Sequence, residues 1–251
     1  MDNQYHSNEI IDICILAGKI ILESGAETNR VEDTMKRMAA AFGKKESHSF
    51  STPTAIIFSL DGEQPSSKLI RISRRSTDLR KVALVNSISR AITNKELSLN
   101  EAYVQLEELD GKNLAYPIWV QVIAAFVTSG CFTIMFNGQW HDFIWSCVAG
   151  GLGFACLLWI DQLLEVRFCA EFVGSFLIGV IAFFMVHLGW GWELDKIIIG
   201  AVMPLVPGLL ITNAARDLIT GHLVSAQTKL VEAGLTSLAI GVGITVAMVI
   251  L

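Results

Sequence analysis

The sequence predicts an α-helical membrane protein in which five transmembrane helices follow a cytoplasmic α+β domain. The chain is 52% hydrophobic and 17% charged, with a mean hydropathy of +0.51, which is too apolar for an ordinary soluble domain. The charge is also unevenly distributed, since 15 of the 19 lysines and arginines precede Pro117. We therefore expect a cytoplasmic domain over residues 1–112 and a membrane domain over residues 113–251.

The first elements are predicted from the spacing of apolar residues. Residues 9–24 have the pattern of an amphipathic helix, and Gly25 is a natural end for it. A second helix is expected to begin near Thr28 or Asn29, because either side chain can cap it, and to continue to about Phe42.

A small sheet is predicted after Gly43, where β-branched and aromatic residues become frequent. We expect two strands, Thr54–Leu60 and Lys68–Ser73, joined by a turn at Asp61-Gly62-Glu63. Together with the helices on either side, these strands make the predicted domain α+β.

Two further helices are predicted before the membrane domain. One includes residues 79–90, and the other begins where Ser98 and Glu101 have the spacing of a capping box. The sequence contains no phosphate-binding loop, dinucleotide-binding turn, zinc-protease helix or serine-hydrolase elbow. We therefore predict neither an enzymatic activity nor a cofactor.

The second half of the chain contains five stretches with almost no charged residues. A helix needs about 20 mostly apolar residues to cross the hydrocarbon core of a bilayer. The predicted spans are about 117–136, 143–161, 171–190, 197–215 and 232–251.

The charged residues between the spans predict the orientation. The first residues are polar and do not form a signal peptide, so we expect a cytoplasmic N-terminus. Arg167, Arg216 and Lys229 then belong to cytoplasmic loops and Lys196 to an outer loop, in agreement with the positive-inside rule. We predict a multi-pass protein of the bacterial inner membrane, in contact with lipid.

The five cysteines lack the spacing of a metal site or a disulfide framework, and we expect them to be buried, with no bound metal. The net charge of -5 and the absence of a basic cluster argue against a nucleic-acid partner.

The fourth span contains residues that are unusual for a membrane helix. Pro204, Pro207 and Gly208 should break or kink it, because proline removes an N–H donor and clashes with the preceding turn. Asn213 and Asp217 follow on one helical face, being four residues apart. Transporters use broken helices of this kind to hold polar substrates, although a purely structural kink has the same sequence pattern.

Two blocks of sequence resemble the threonine/serine exporter family. One is Ser24-Gly25-Ala26-Glu27-Thr28-Asn29-Arg30-Val31-Glu32, followed by Ser51-Thr52-Pro53-Thr54. The other is Leu205-Val206-Pro207-Gly208 with Asn213, Asp217 and Gly221-His222. The family also has a soluble domain followed by five spans, so the resemblance covers nearly the whole chain.

The resemblance implies export of small polar metabolites from the cytoplasm, typically threonine and serine, driven by the proton gradient. Full-size members resemble a fusion of this architecture with about five further spans. The chain is similar to the larger subunit of a split, two-chain version, so we expect a second membrane subunit of four or five spans and an oligomeric assembly.

The family blocks also suggest which residues meet the substrate. The residues nearest the substrate path are Pro204, Pro207, Gly208, Thr212, Asn213 and Asp217. Possible contacts in the cytoplasmic domain are Glu27, Arg30, Glu32 and Thr52. Asp217 could instead belong to a helix cap beside Arg216, and Glu27 and Arg30 could be simple helix-end charges.

Two other functions remain open at this point. The first is export of a dicarboxylate such as succinate, which also requires a carboxylate site and differs from threonine mainly by one ammonium group. The second is a membrane-anchored enzyme or regulator, which predicts a catalytic pocket in the soluble domain.

Overall fold

The computed structural model describes residues 7–61, 65–164 and 166–251. The protein is mostly helical with one small sheet, and it divides into two compact units. The first unit comprises Met1–Ala115 and Leu209–Leu230, and the second comprises Tyr116–Gly208 and Val231–Leu251. The segment that follows the two prolines thus groups with the N-terminal residues. The boundary between cytoplasmic and membrane residues at position 112 stays a prediction.

Two helices open the first unit, α1 (Ser7–Glu23) and α2 (Thr28–Ala41), and the predicted amphipathic helix is confirmed. Gly25 follows α1 with a φ of 82°, a left-handed value that favours glycine. The predicted cap of α2 is wrong, because Glu27 occupies the N-cap position and makes no side-chain capping bond. The hydroxyl of Thr28 donates to a distant carboxylate instead of capping the helix.

The sheet has three antiparallel strands in the order β1 (Ser47–Thr52), β2 (Ala55–Leu60) and β3 (Ser66–Arg71). The two predicted strands correspond to β2 and β3. The prediction omits β1 because this strand is rich in serine, which has little β preference. Residues 62 and 63 of the predicted turn lie outside the described residues.

Helices α3 (Leu79–Thr93) and α4 (Leu99–Gly111) complete the N-terminal part of this unit, and both were expected from the sequence. Asp78 caps α3, and the Ser98–Glu101 capping box of α4 is confirmed. The buried core of the unit includes Ile13, Met35, Phe58, Val85 and Leu106.

The second half of the chain consists of long apolar helices. They are α5 (Ile118–Met135), α6 (Trp140–Leu164), α7 (Arg167–His187), α8 (Leu194–Val202), α9 (Gly208–Ile219) and α10 (Leu223–Ile250). Within the described residues, four of them (α5, α6, α7 and α10) are long and apolar enough to cross a membrane. Helices α8 and α9 provide a fifth candidate span if the bent pair is counted as one.

Helix α10 contains the fifth predicted span, and one prediction about it needs correction. The helix begins at Leu223, so only residues 220–222 connect it to α9, and the span bounds of 232–251 within it stay a prediction. Lys229 therefore lies inside a helix and not in the predicted loop, and its charge is neutralised by the buried carboxylate of Asp217. The predicted orientation now rests on Arg167 and Arg216 against Lys196.

Small residues bring α5, α6 and α8 into close contact. A Cβ atom added to Gly150 would lie 2.0 Å from the Ser129 hydroxyl, and one added to Gly200 would lie 1.8 Å from the Thr133 hydroxyl. Close approach of helix backbones through small residues is typical of membrane helices.

A buried carboxylate fixes the start of α8. Asp142 of α6 accepts hydrogen bonds from the backbone N–H groups of Trp192, at 2.7 Å, and Glu193, at 3.2 Å. These N–H groups immediately precede α8, where the positive end of the helix dipole also favours a carboxylate.

The prediction that all cysteines are buried is wrong for most of them. Cys14 in α1 is buried, and burial raises the pKa of its thiol well above the usual range. Cys131 and Cys169 are exposed, and Cys147 and Cys156 are partly exposed, because they lie on outer faces of the long apolar helices.

Candidate functional site

The fourth predicted span is interrupted at its prolines. Helix α8 ends at Val202, a 3-10 turn covers Met203–Leu205, and α9 begins at Gly208 after a bend of 63°. Pro204 lies in the turn, and Pro207 is buried directly before α9. Because proline has a fixed φ and no N–H, the helical hydrogen bonds cannot continue through this segment. The predicted break is confirmed.

Asp217, further along α9, is fully buried and has partners from two other helices of the first unit. Its Oδ1 accepts a hydrogen bond from the Thr28 backbone N–H at 3.0 Å, and its Oδ2 accepts one from the Thr28 hydroxyl at 2.8 Å. The ammonium of Lys229, whose residue is only 3% exposed, donates to Oδ2 at 2.7 Å. Asp217 and Lys229 thus form a buried ion pair that Thr28 completes.

The surroundings of this pair explain why it can be buried. Taking two charges out of water costs several kcal/mol per ion, unless good geometry and additional hydrogen bonds compensate. Thr28 supplies two donors to the carboxylate, and it is also the first residue of α2, where the helix dipole favours a negative charge. The same hydroxyl lies 3.4 Å from the Lys229 ammonium.

Asn213, one helical turn before Asp217, contacts the loop between α1 and α2. Its side-chain Nδ2 donates to the backbone carbonyl of Gly25 at 2.8 Å. On the same helix, Arg216 pairs with the carboxylate of Glu27. Three side chains of α9 therefore hold the segment from Gly25 to Thr28.

Glu32 is the centre of a second set of polar contacts, next to those that α9 makes with the segment from Gly25 to Thr28. Its Oε1 accepts from the backbone N–H of Ser51 at 2.9 Å, and its Oε2 lies 3.5 Å from Nε2 of His222. The Ser225 hydroxyl of α10 donates to the Ser51 carbonyl at 3.1 Å. Strand β1 is thereby tied to both α2 and α10.

The two sequence blocks singled out above therefore meet in one cluster, which we call the motif junction. It consists of Gly25, Glu27, Thr28, Glu32, Ser51, Asn213, Arg216, Asp217, His222, Ser225 and Lys229. The blocks are far apart in the sequence, since Thr28 and Asp217 are separated by 189 residues. The junction contains ion pairs and hydrogen bonds that a charged solute could exchange for its own.

A comparison with known protein families covers almost the entire chain, since the model of the threonine/serine exporter family, ThrE, matches residues 12–251. The chain belongs to the threonine/serine exporter family. With several helices long enough to cross a bilayer, this family member is a multi-pass membrane protein.

Curated relatives fall into two groups by length. The chain is 27% identical to "Probable succinate transporter subunit YjjP" of Klebsiella aerogenes and covers 92% of that protein. It is 25% identical to the YjjP of Escherichia coli, of which it covers 93%. It is 22% identical to "Probable threonine/serine exporter" of Mycobacterium tuberculosis, but covers only 46% of that longer protein. No solved structure matches the chain.

Other predicted site residues of this exporter-family chain lie apart from the junction. The side chain of Arg30 is exposed, and Thr52 holds the β1–β2 turn by accepting from the Ala55 N–H at 3.1 Å. Thr212 is exposed, and its hydroxyl donates to the carbonyl of Leu209 at 3.0 Å.

Sequence reasoning missed the role of Lys229, which it assigned to a loop. Its neighbours Gln227, Thr228 and Glu232 are polar, so the local sequence did not mark Lys229 as a buried lysine that needs a counter-charge. Ser225, four residues before Lys229, is on the same face of α10 and also reaches the N-terminal residues. The hydrophobic pattern alone gave no reason to choose Asp217 as the partner.

Proposed function

We propose that this protein is a subunit of a secondary exporter that moves small carboxylate-bearing metabolites, threonine and serine first, from the cytoplasm across the inner membrane. The observation that carries the proposal is the broken helix α8–α9, which leads directly to the polar residues of α9 in a member of an exporter family. The proton gradient supplies the driving force.

The proposed substrate path begins at the break. Pro204 and Pro207 cannot donate to the carbonyls of Gly200 and Met203, which accept instead from the backbone N–H groups of Met203 and Val206 in the tighter turn. Gly208 has no atom within 4 Å of the position that a Cβ would occupy, so the start of α9 borders open space in which we propose that the substrate passes. Thr212 and Asn213 offer the next polar groups along the same helix.

Asp217 and Lys229 are proposed to couple substrate to protons. When a proton neutralises the Asp217 carboxylate, Lys229 loses its counter-charge and becomes a partner for a substrate carboxylate. Conversely, an ionised Asp217 can accept a substrate ammonium group. Glu27 and Glu32 are the proposed neighbouring contacts, and the proposal gives Arg30 and Thr52 only peripheral roles.

A second substrate, a dicarboxylate such as succinate, is favoured by the similarity to relatives named as succinate transporter subunits. That similarity extends over more than nine-tenths of their length. The word subunit in their names also supports a second membrane subunit for this chain. Both substrates carry the carboxylate that Lys229 is proposed to bind.

Counterflow tests the proposal in vesicles that contain this chain with and without a candidate second subunit. We expect trapped substrate to accelerate uptake of labelled serine or threonine. If the protein exports a dicarboxylate, trapped substrate should accelerate uptake of labelled succinate instead. Background uptake of all three compounds in both preparations would contradict export.

A further inference from the structure

A cavity of about 350 Å³ lies within the first unit, away from the motif junction. It is bordered by the end of α1, by the segment between β3 and α3, by the first turn of α3 and by the end of α4. Its polar lining consists mainly of Glu23, Ser24, Arg74, Arg75, Lys81 and Asp110. The volume is sufficient for a metabolite of a few carbon atoms and its hydrating water.

The lining is predominantly cationic. Arg74, Arg75 and Lys81 face two acids, Glu23 and Asp110. The Asp110 carboxylate already accepts from the Lys19 ammonium at 2.8 Å, which also raises the pKa of Lys19. With Asp110 paired to Lys19, Arg74 and Lys81 face the single carboxylate of Glu23, so the cavity retains positive charge that suits an anionic group.

Ser24 adds a buried hydroxyl to this lining. Its residue is only 2% exposed, and it lines the cavity. The backbone carbonyls beside it already accept hydrogen bonds from the segment between β3 and α3. The Glu23 carbonyl accepts from the Ser76 N–H at 2.8 Å, and the Ser24 carbonyl accepts from the Asp78 N–H at 3.1 Å.

The backbone hydrogen bonds hold the arginine-bearing segment against the end of α1. The segment that carries Arg74 and Arg75 is therefore positioned in the free protein and does not need to fold around a ligand. A preorganised site loses less conformational entropy on binding.

We propose that this cavity binds a small organic carboxylate, with the carboxylate group on Arg74 and Lys81 and a hydrogen bond from the Ser24 hydroxyl. Guanidinium groups bind carboxylates through short, charge-assisted hydrogen bonds. Glu23 decides between ligand types, since it attracts an ammonium group and repels a second carboxylate. The site is separate from the proposed transport path and does not depend on the exported substrate.

Binding to the purified full chain in detergent tests this site, with succinate, serine and inorganic phosphate as three separate probes. We expect saturable binding of succinate or serine by equilibrium dialysis, together with a higher unfolding temperature. Arg74→Gln and Ser24→Ala should each weaken binding, with a loss of about tenfold for the arginine. Glu23→Gln should weaken serine binding and strengthen succinate binding.

Arg90→Gln is the matched control, because Arg90 is an exposed arginine of the same unit outside this cavity. It should leave binding unchanged. The proposal is wrong if neither carboxylate binds, if phosphate binds and the carboxylates do not, or if Arg74→Gln binds as tightly as the parent. Binding that Asp217→Asn removes and Arg74→Gln retains would instead assign the ligand to the transport path.

Discussion

The ammonium of Lys229 lies 2.7 Å from the carboxylate of Asp217, and both side chains are almost completely buried. This pair connects α9 to α10, while Thr28 connects the same carboxylate to α2. A buried pair of this kind is sensitive to loss of either partner, because the other charge then remains without compensation. The motif junction can therefore be tested through stability as well as transport.

A double-mutant cycle measures the coupling of this pair. Asp217→Asn and Lys229→Met should each lower the free energy of unfolding by about 3–5 kcal/mol, because each leaves one polar or charged group buried without its partner. The double variant should lose clearly less than the sum of the two. Chemical unfolding of the purified protein in detergent provides the measurement.

The matched control for the cycle is the exposed ion pair of Lys112 and Glu108 on α4. Glu108→Gln should have little effect on unfolding, because exposed pairs contribute little. Additive effects of Asp217→Asn and Lys229→Met would show that the two side chains do not interact in solution.

Helical periodicity was sufficient to predict much of the fold. The apolar spacing around Ile13, the capping box at Ser98 and the prolines of the fourth span are all local signals, and the structure contains the corresponding elements. Each depends on residues within one or two turns of helix, which sequence reading detects directly.

The partners in the motif junction could not be predicted in the same way. Asp217 and Thr28 are separated by 189 residues, and no periodicity specifies a contact at that distance. Strand β1 was missed for another reason, since its hydrogen bonds to β2 and the bond between Ser51 and Glu32 compensate for a weakly β-forming sequence.

Proton coupling predicts a specific effect on transport. The Asp217→Asn, Lys229→Met double variant removes the titratable carboxylate together with its buried counter-charge, so the fold should be less affected than in either single variant. Efflux from vesicles should fall, because Lys229 no longer binds the substrate carboxylate, and the remaining efflux should lose its dependence on an imposed pH gradient. Asp217→Glu, which keeps a titratable carboxylate, is the control and should retain part of that dependence. An unchanged response to pH in the double variant would limit Asp217 to a structural role.

Asp142 is expected to stabilise the start of α8. Asp142→Ala removes the acceptor for the Trp192 and Glu193 N–H groups, and should lower the free energy of unfolding by about 1–3 kcal/mol. Asp195→Ala is the control, since Asp195 is an exposed acid in the first turn of α8. Equal stability of the two variants would mean that the Asp142 hydrogen bonds contribute nothing measurable.

The predicted orientation can be tested with an impermeant thiol reagent on a background without the five native cysteines. Gln139→Cys, between α5 and α6, should react from outside, and Gln162→Cys, near the end of α6, should react only after the membrane is opened. Gln139 is preferable to Asn137, whose φ of 61° makes substitution unfavourable. Reversed labelling would place the N-terminus outside the cytoplasm.

The central claim is that the break in the fourth span forms part of the transport path, and efflux by a Pro204→Ala, Pro207→Ala double variant tests it most directly. Alanine favours a continuous helix by about 3 kcal/mol per site in a soluble reference. We expect the double variant to be at least as stable as the parent and to export labelled substrate far more slowly, while Pro117→Ala, before α5, exports at the parental rate. Export by the double variant at the parental rate would contradict the assignment of the path to this break.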